Sequence, residues 1–218
     1  MGAGKMPQLY ANLTKNNSVP SLHGGTLWTD DVNKRLHLFG GETHQQPPSP
    51  YFHLWSFDPI EDQWVSFGPS QQAPINGVSY GAGASISDRG EGYYYGGWMS
   101  NSSVAGWSGP RVATSGMIKY DMDKNEWHNV TGPDSIRRAE GALLFLPIGD
   151  DGMLVYFGGV QDRYQNGSAL GQPMDEIWLY DVLSSKWYSQ QATGAVPKMR
   201  SRFCAGATWA SDQSSYNM

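Results

Sequence analysis

Three segments of this chain share one spacing, and that spacing constrains the fold more than any other feature. Each has an apolar run that ends in Gly-Gly, then a polar stretch, then a second apolar run that ends in an aromatic residue and Asp. A Trp follows six residues after that Asp. The glycine pairs are Gly40-Gly41, Gly96-Gly97 and Gly158-Gly159, and the Asp-to-Trp steps are Asp58 to Trp64, Asp121 to Trp127 and Asp181 to Trp187. The glycine pairs recur about every 60 residues, which is room for a four-stranded sheet with one extended loop.

Strand-like runs fill each unit. GGTLWTD, LHLFGG, YFHLWSFD and QWVSF make the first, and GAGASISD, GYYYGG, SGMIKYD and EWHNV the second. EGALLFLP, MLVYFGG, DEIWLYD and KWYSQ make the third, and FCAGATWASD opens a fourth. The boundaries read as 19–70, 71–131, 132–191 and 192–218, with 1–18 as an N-terminal segment that can serve as the outer strand of a neighbouring unit. Composition agrees: 16% charged residues with 27 Gly and 13 Pro suit many short strands and turns better than helices. A lone sheet of this kind buries little. Stacked radially, each sheet covers its neighbour's apolar face. The glycine pairs allow positive φ or close backbone approach, the Asp can cap the turn after it, and the aromatic residue and Trp can fill the space between sheets.

Gly-Gly, then Tyr/Phe-Asp, then Trp six residues on, resembles the kelch repeat, over about residues 20 to 210. The resemblance implies an all-β kelch β-propeller, here three four-stranded antiparallel blades plus the first strand of a fourth. A kelch propeller closes with more blades than that, so the remaining blades of a longer chain are expected partners. The openings VPSLHGGTLWTD and PKMRSRFCAGATWASD also look like fungal kelch-repeat surface proteins. The function implied is a non-catalytic interaction scaffold that binds a protein or a glycan through its inter-blade and strand 2–3 loops, with no cofactor. Two alternatives follow from the same resemblance. One is a galactose-oxidase-like copper enzyme whose catalytic residues lie outside this chain. The other is an intracellular kelch adaptor in cell polarity.

Function is expected on the loops that differ between repeats. Aligning the first strands on Gly83, Gly141 and Gly206 puts Ser79, Arg137 and Arg202 at one position, with Arg138 and Arg200 beside them. Such arginines can clamp a carboxylate, a phosphate or an acidic peptide bidentately, or pair with Glu140 and Asp134. Trp98, Trp107 and Tyr164 lie in strand 2–3 loops, where exposed aromatics can anchor a partner or stack on a sugar. The repeat residues Gly40, Gly41, Gly96, Gly97, Gly158, Gly159, Asp58, Asp121, Asp181, Trp64, Trp127 and Trp187 read as structural.

Other signals narrow the field. The formal charge of −5 argues against a nucleic-acid surface, which is normally basic. The longest apolar run is too short to span a bilayer. One cysteine, Cys204, gives no internal disulfide framework. DMDKNEW opens like a calcium loop but lacks its Gly and its final Glu. His44 and His53 share a loop region without a third ligand spaced to match, and no GxSxG elbow occurs. Five of ten Asn residues begin Asn-x-Ser/Thr: Asn12, Asn16, Asn101, Asn129 and Asn166. Chance predicts roughly one or two at this Ser and Thr content. The excess favours an extracellular or cell-surface glycoprotein, including the ectodomain of a membrane protein, over a cytoplasmic one.

Overall fold

A computed structural model describes residues 15, 17–44, 47–50, 54–67 and 75–218. The segment 1–14, Asn16 and the loop residues 45–46, 51–53 and 68–74 lie outside the described residues. The sequons at Asn12 and Asn16, the proposed N-terminal strand and His53 therefore do too.

The described chain is all β, apart from one 3-10 turn at Ser87–Arg89. The first sheet is β1 (Leu22–Asp30), β2 (Arg35–Thr43), β3 (Trp55–Asp58) and β4 (Gln63–Ser66), antiparallel and in sequence order. The second begins with β5 (Ala82–Ile86) and β6 (Glu91–Tyr95). A short hairpin, β7 (Trp98–Met99) with β8 (Val112–Ala113), interrupts it before β9 (Met117–Asp121) and β10 (Glu126–Val130). β11 (Arg137–Ala139) leads into the third sheet, which is β12 (Ala142–Leu146), β13 (Met153–Phe157), β16 (Glu176–Asp181) and β17 (Lys186–Gln191). Its strand 2–3 connection holds β14 (Val160–Asp162) and β15 (Leu170–Gly171), and β14 pairs with both β11 and β15. The strand 2–3 connections of the second and third sheets thus carry small strands of their own. The fourth unit differs from the expected single strand: β18 (Thr208–Trp209) pairs with β19 (Tyr216–Asn217), so the start of a second strand is present.

The Asp of each repeat builds the turn after it. Asp58 Oδ1 accepts the backbone N–H groups of Ile60 and Glu61, Asp121 Oδ1 that of Lys124, and Asp181 Oδ1 those of Leu183 and Ser184. A left-handed residue closes each turn: Asp62, Asn125 and Ser185, with φ of 52°, 54° and 55°. Local Asx bonding and one αL residue suffice for such a turn.

Aromatic side chains fill the space between sheets. Trp28, Phe39, Leu54, Tyr94, Tyr120 and Trp127 form the core between the first and second sheets. Trp28 stacks on Phe39 at 4.7 Å and donates its indole N–H to the Tyr93 carbonyl of the next sheet at 3.0 Å. Tyr93, Tyr95, Leu154, Tyr156 and Tyr180 form the second interface, with Trp187 packed against it. Trp187 donates to Thr131 O at 2.9 Å. Each such side chain contributes about 1.5–3 kcal/mol by burial. The C-terminal segment leans on the far face of the third sheet, where Phe203 packs on Phe157 and the Tyr216 hydroxyl meets Pro147 O.

Register decides which end of the sheets is which. Leu22 pairs with Thr43 and Trp55 with Ser66. Ala82 with Tyr95, Met117 with Val130, Ala142 with Phe157 and Glu176 with Gln191 repeat that arrangement. The inter-sheet loops and the strand 2–3 loops therefore lie together at one end, the loop end. The tight hairpin turns lie at the other, the turn end.

Candidate functional site

The repeat glycine pairs join each sheet to the next at the loop end through their second glycine. All have positive φ, between 66° and 99°. The second glycine of each pair donates its N–H to the chain approaching the following sheet: Gly41 to Val78 O, Gly97 to Arg138 O and Gly159 to Arg200 O, at 2.7, 2.9 and 2.9 Å. A Cβ on Gly96 would strike Arg138 O, so close backbone approach explains the absence of a side chain.

These bonds fix the true equivalence between repeats. Val78, Arg138 and Arg200 occupy one position. The alignment on Gly83, Gly141 and Gly206 is therefore out of register, and Arg137 and Arg202 are not equivalents. Two residues after that position comes a left-handed residue, Tyr80, Glu140 or Arg202, with φ of 53°, 64° and 53°; Gly24, φ 70°, holds the same place in the first sheet. Their backbones form a ladder: Tyr80 N–H donates to Gly24 O, Glu140 to Tyr80 O and Arg202 to Glu140 O, at 2.6, 2.6 and 2.9 Å. Tyr80, Glu140 and Arg202 each follow an inter-sheet loop, and Gly24 lies near the start of β1, so the ladder runs along the rim of the loop end.

Side chains from this ladder join into one network. The Tyr80 hydroxyl lies 2.7 Å from His23 Nδ1, which is 3.5 Å from Glu42 Oε1. Ser79 Oγ donates to Glu42 Oε2 at 3.2 Å. The Arg202 guanidinium lies 4.1 Å over the Tyr80 ring and donates to Glu140 Oε1 at 2.9 Å. The same oxygen accepts Trp98 Nε1 at 3.0 Å, and Arg111 lies 4.1 Å over the Trp98 ring. Arg137 donates to Ala113 O at 3.0 Å, and Ala113 is the strand partner of Trp98. Burial works against the charge of Glu140, but the hydrogen bonds from Arg202 and Trp98 outweigh it and hold its carboxyl below the ordinary value. The bond to Glu140 correspondingly raises Arg202.

The structure thus brings Trp98, Arg137 and Arg202 together and separates the other candidates from them. Arg138 is fully buried. It forms a two-pronged ion pair with Asp134 at 2.6 and 2.9 Å, donates to Gln172 and Tyr95, and lies over the Trp178 ring. Burial opposes its charge, but Asp134 and Tyr95 outweigh burial and raise its pKa. Arg138 locks the second and third sheets and is closed to a ligand. Arg200 is exposed, and its guanidinium donates to Lys198 O. Trp107 folds back onto Pro110 O, while Tyr164 is 71% exposed. Trp98 is 1% exposed beneath Arg111 and offers no open face for a sugar. Glu140 is the arginine partner expected from the sequence, whereas His23, Glu42, Tyr80 and Arg111 carry no such expectation. A usable signal exists: Gly24 and Tyr80 stand sixteen residues before Gly40 and Gly96, and Glu140 eighteen before Gly158.

A cleft of about 570 Å³ lies beside this network, walled by Leu22, Thr43, Pro48, Trp55, Ser102 and Val104. Among the described residues no group of three His, Cys, Asp or Glu stands close enough to hold a metal. His23 and His44 approach only to 6.1 Å between ring centres, and Cys204 is exposed. These residues do not fit a copper site. No helix among them is long and apolar enough to cross a membrane.

Residues 8–213 match the KLHDC2/KLHL20/DRC7 Kelch-repeats domain. This chain belongs to the kelch-repeat family. It is also similar to a Kelch repeat-containing protein of Arthroderma benhamiae, with 29% identity over 248 residues. The match covers 96% of this kelch chain and 36% of that relative, so the chain spans about a third of the relative's length. Kelch-repeat domains are protein-interaction scaffolds and are in general non-catalytic.

Proposed function

We propose that this chain is a non-catalytic docking scaffold that holds a protein partner against its loop end, over the rim formed by Gly24, Tyr80, Glu140 and Arg202. The observation that carries this reading is the rim itself. Three successive residues keep large side chains in a left-handed backbone that glycine adopts more cheaply, and their side chains meet in one network beside the variable loops. Strain of this kind gathers where function over-determines the backbone.

The test uses a photo-cross-linking residue placed at either end of the chain. Tyr164 is 71% exposed at the loop end and Ile60 is 75% exposed at the turn end. A benzoylphenylalanine at 164 is expected to capture a partner that the same residue at 60 does not. Equal capture from both positions, or capture from 60 alone, refutes loop-end docking.

An extracellular setting is part of the proposal. Asn101, Asn129 and Asn166 are all exposed, which supports their use as glycan acceptors. Protein isolated from its native cells should lose apparent mass on enzymatic deglycosylation; unchanged mobility overturns the setting but not the scaffold.

A further inference from the structure

We propose that Asn76 is a self-modifying site. The amide nitrogen that follows it converts the asparagine to aspartate and isoaspartate, and so ages the joint between the first two sheets. The inference goes beyond the scaffold reading and does not depend on it.

The chain contains two Asn-Gly pairs, Asn76-Gly77 and Asn166-Gly167, and the structure treats them oppositely. Asn-Gly is the context most open to this chemistry, because a glycine nitrogen has no side chain beside it to block its approach to Cγ. At 166 both reacting groups are tied down. Gly167 N–H donates to Asp162 Oδ1 at 3.2 Å, and Asn166 Oδ1 accepts Ser168 N–H at 3.0 Å. At 76 neither is. Asn76 is exposed, and among the described residues neither its side chain nor Gly77 N–H takes part in a hydrogen bond. Both residues line the cleft of about 570 Å³, so solvent reaches the amide.

Packing explains why glycine stands at 77. A Cβ there would strike Ser103 O, in the connection between β7 and β8. The close approach of that segment excludes a side chain, and the same exclusion leaves the nitrogen unshielded.

The reaction needs no partner but water. Gly77 N attacks Asn76 Cγ, the new C–N bond closes a succinimide ring, and the side-chain nitrogen leaves as ammonia with the proton from Gly77. Water then opens the ring. Cleavage at one carbonyl gives aspartate. Cleavage at the other gives isoaspartate, whose main chain runs through Cβ and is one carbon longer.

The position makes that carbon matter. Ile75 packs against the core between the first and second sheets, and Val78, 4% exposed, belongs to it. Val78 O accepts Gly41 N–H at 2.7 Å, and Ser79 pairs with Trp98. The chain is thus anchored on both sides of the reacting pair. A longer backbone between those anchors displaces one of them, and the Val78 bond is itself the joint between the sheets. Each conversion also adds a negative charge to the cleft wall.

The test incubates the unglycosylated chain, made in bacteria, in mildly alkaline buffer. The two asparagines fall on different tryptic peptides. Mass spectrometry follows the exchange of amide for acid in each, and isoaspartyl methyltransferase labels the lengthened backbone. In the folded chain Asn76 should convert at least about tenfold faster than Asn166, whose two hydrogen bonds must open first. In urea, with those bonds gone, the two rates should agree within about threefold. Asn76→Gln, whose longer side chain would have to close a larger ring, should take up no methyl label at that peptide. The methyl-accepting form, separated by ion exchange, should unfold at lower urea than Asn76→Asp, which adds the charge without the extra carbon. Equal rates at 76 and 166 in the folded chain, or conversion at 76 only after unfolding, overturns the proposal. A methyl-accepting form as stable as Asn76→Asp overturns the effect on the joint.

Discussion

Glu140→Ala tests the hub of the rim. Glu140 is 8% exposed, and its Oε1 accepts Trp98 Nε1 at 3.0 Å and Arg202 Nη2 at 2.9 Å. Truncation leaves the indole N–H of Trp98, a residue 1% exposed, without its acceptor. A stranded buried donor costs about 1–3 kcal/mol. The Arg202 bond adds at most about 1 kcal/mol, because that arginine is half exposed and screened. The left-handed backbone is the same burden for Ala as for Glu. The expected loss is therefore about 2–3 kcal/mol, while Glu140→Gln, which keeps an acceptor for the indole, should lose about 1 kcal/mol. Urea denaturation at neutral pH, followed by Trp fluorescence and circular dichroism with an unchanged slope, measures both. A depressed carboxyl favours the folded state above the unfolded value near 4.5, and that gain disappears as pH falls through the folded value. The gap between wild type and the Gln variant should accordingly close in acid. If the Gln variant costs as much as the Ala variant, the charge and not the Trp98 bond holds the rim, and the reasoning fails.

Two further outcomes check the scaffold beneath the rim. Gly97→Ala places a Cβ 2.9 Å from Ser79 O at φ 99°, whereas Gly106→Ala, at φ 73°, meets nothing within 4 Å; the first should cost about 3 kcal/mol and the second about 1 kcal/mol in thermal unfolding, and equal costs would show that contact plays no part at Gly97. His37 is buried with Nε2 3.5 Å from Asp30 Oδ2, and burial, opposed by Asp30, holds its pKa below the ordinary 6.5. The unfolded chain therefore takes up that proton first, so stability present above 6.5 is lost as pH falls toward the folded value. Urea titrations from pH 7.5 to 5.5 should show this slope, flattened in His37→Gln; an unchanged slope in the variant rules His37 out as its source.

The strands were legible because they alternate around fixed marks. EWHNV and MLVYF begin where β10 and β13 begin, since a period of two beside Gly-Gly or Trp leaves one register open. The strand 2–3 loops were not. Their small strands, such as Val160–Asp162 against Arg137–Ala139 of the inter-sheet connection, are held by bonds to distant segments, which local pattern does not carry. The site was legible only in part for a related reason. Arg137 and Arg202 were marked through an alignment on the wrong glycines, because Gly-x-Gly runs such as Gly81 to Gly83 offer two anchors and only the Gly-Gly bonds choose between them. Arg138 has the same residue type as its neighbour Arg137, yet one faces a sheet interface with Asp134 and the other the rim. Strand alternation separates them, and composition does not.

The rim shows why a repeat can carry a function that its repetition conceals. Gly24, Tyr80, Glu140 and Arg202 perform one backbone task, each with an N–H or a carbonyl in the same ladder and each at positive φ. Glycine meets that task without strain, as Gly24 does, whereas a residue with a Cβ gives up about 1–2 kcal/mol in the left-handed region. Three of the four positions accept that cost, and their side chains bind one another, His23 and Trp98. At Gly40, Gly96, Gly97 and Gly159 beside them a Cβ would strike a backbone carbonyl, and at Gly158 the Phe203 ring, so close packing adds to positive φ in fixing glycine there. At the rim a Cβ is tolerated, and the chain places a phenol, a carboxylate and a guanidinium on it. The backbone repeat therefore supplies a hydrogen-bonded ladder along the loop end, and the departures from repetition on that ladder supply its chemistry.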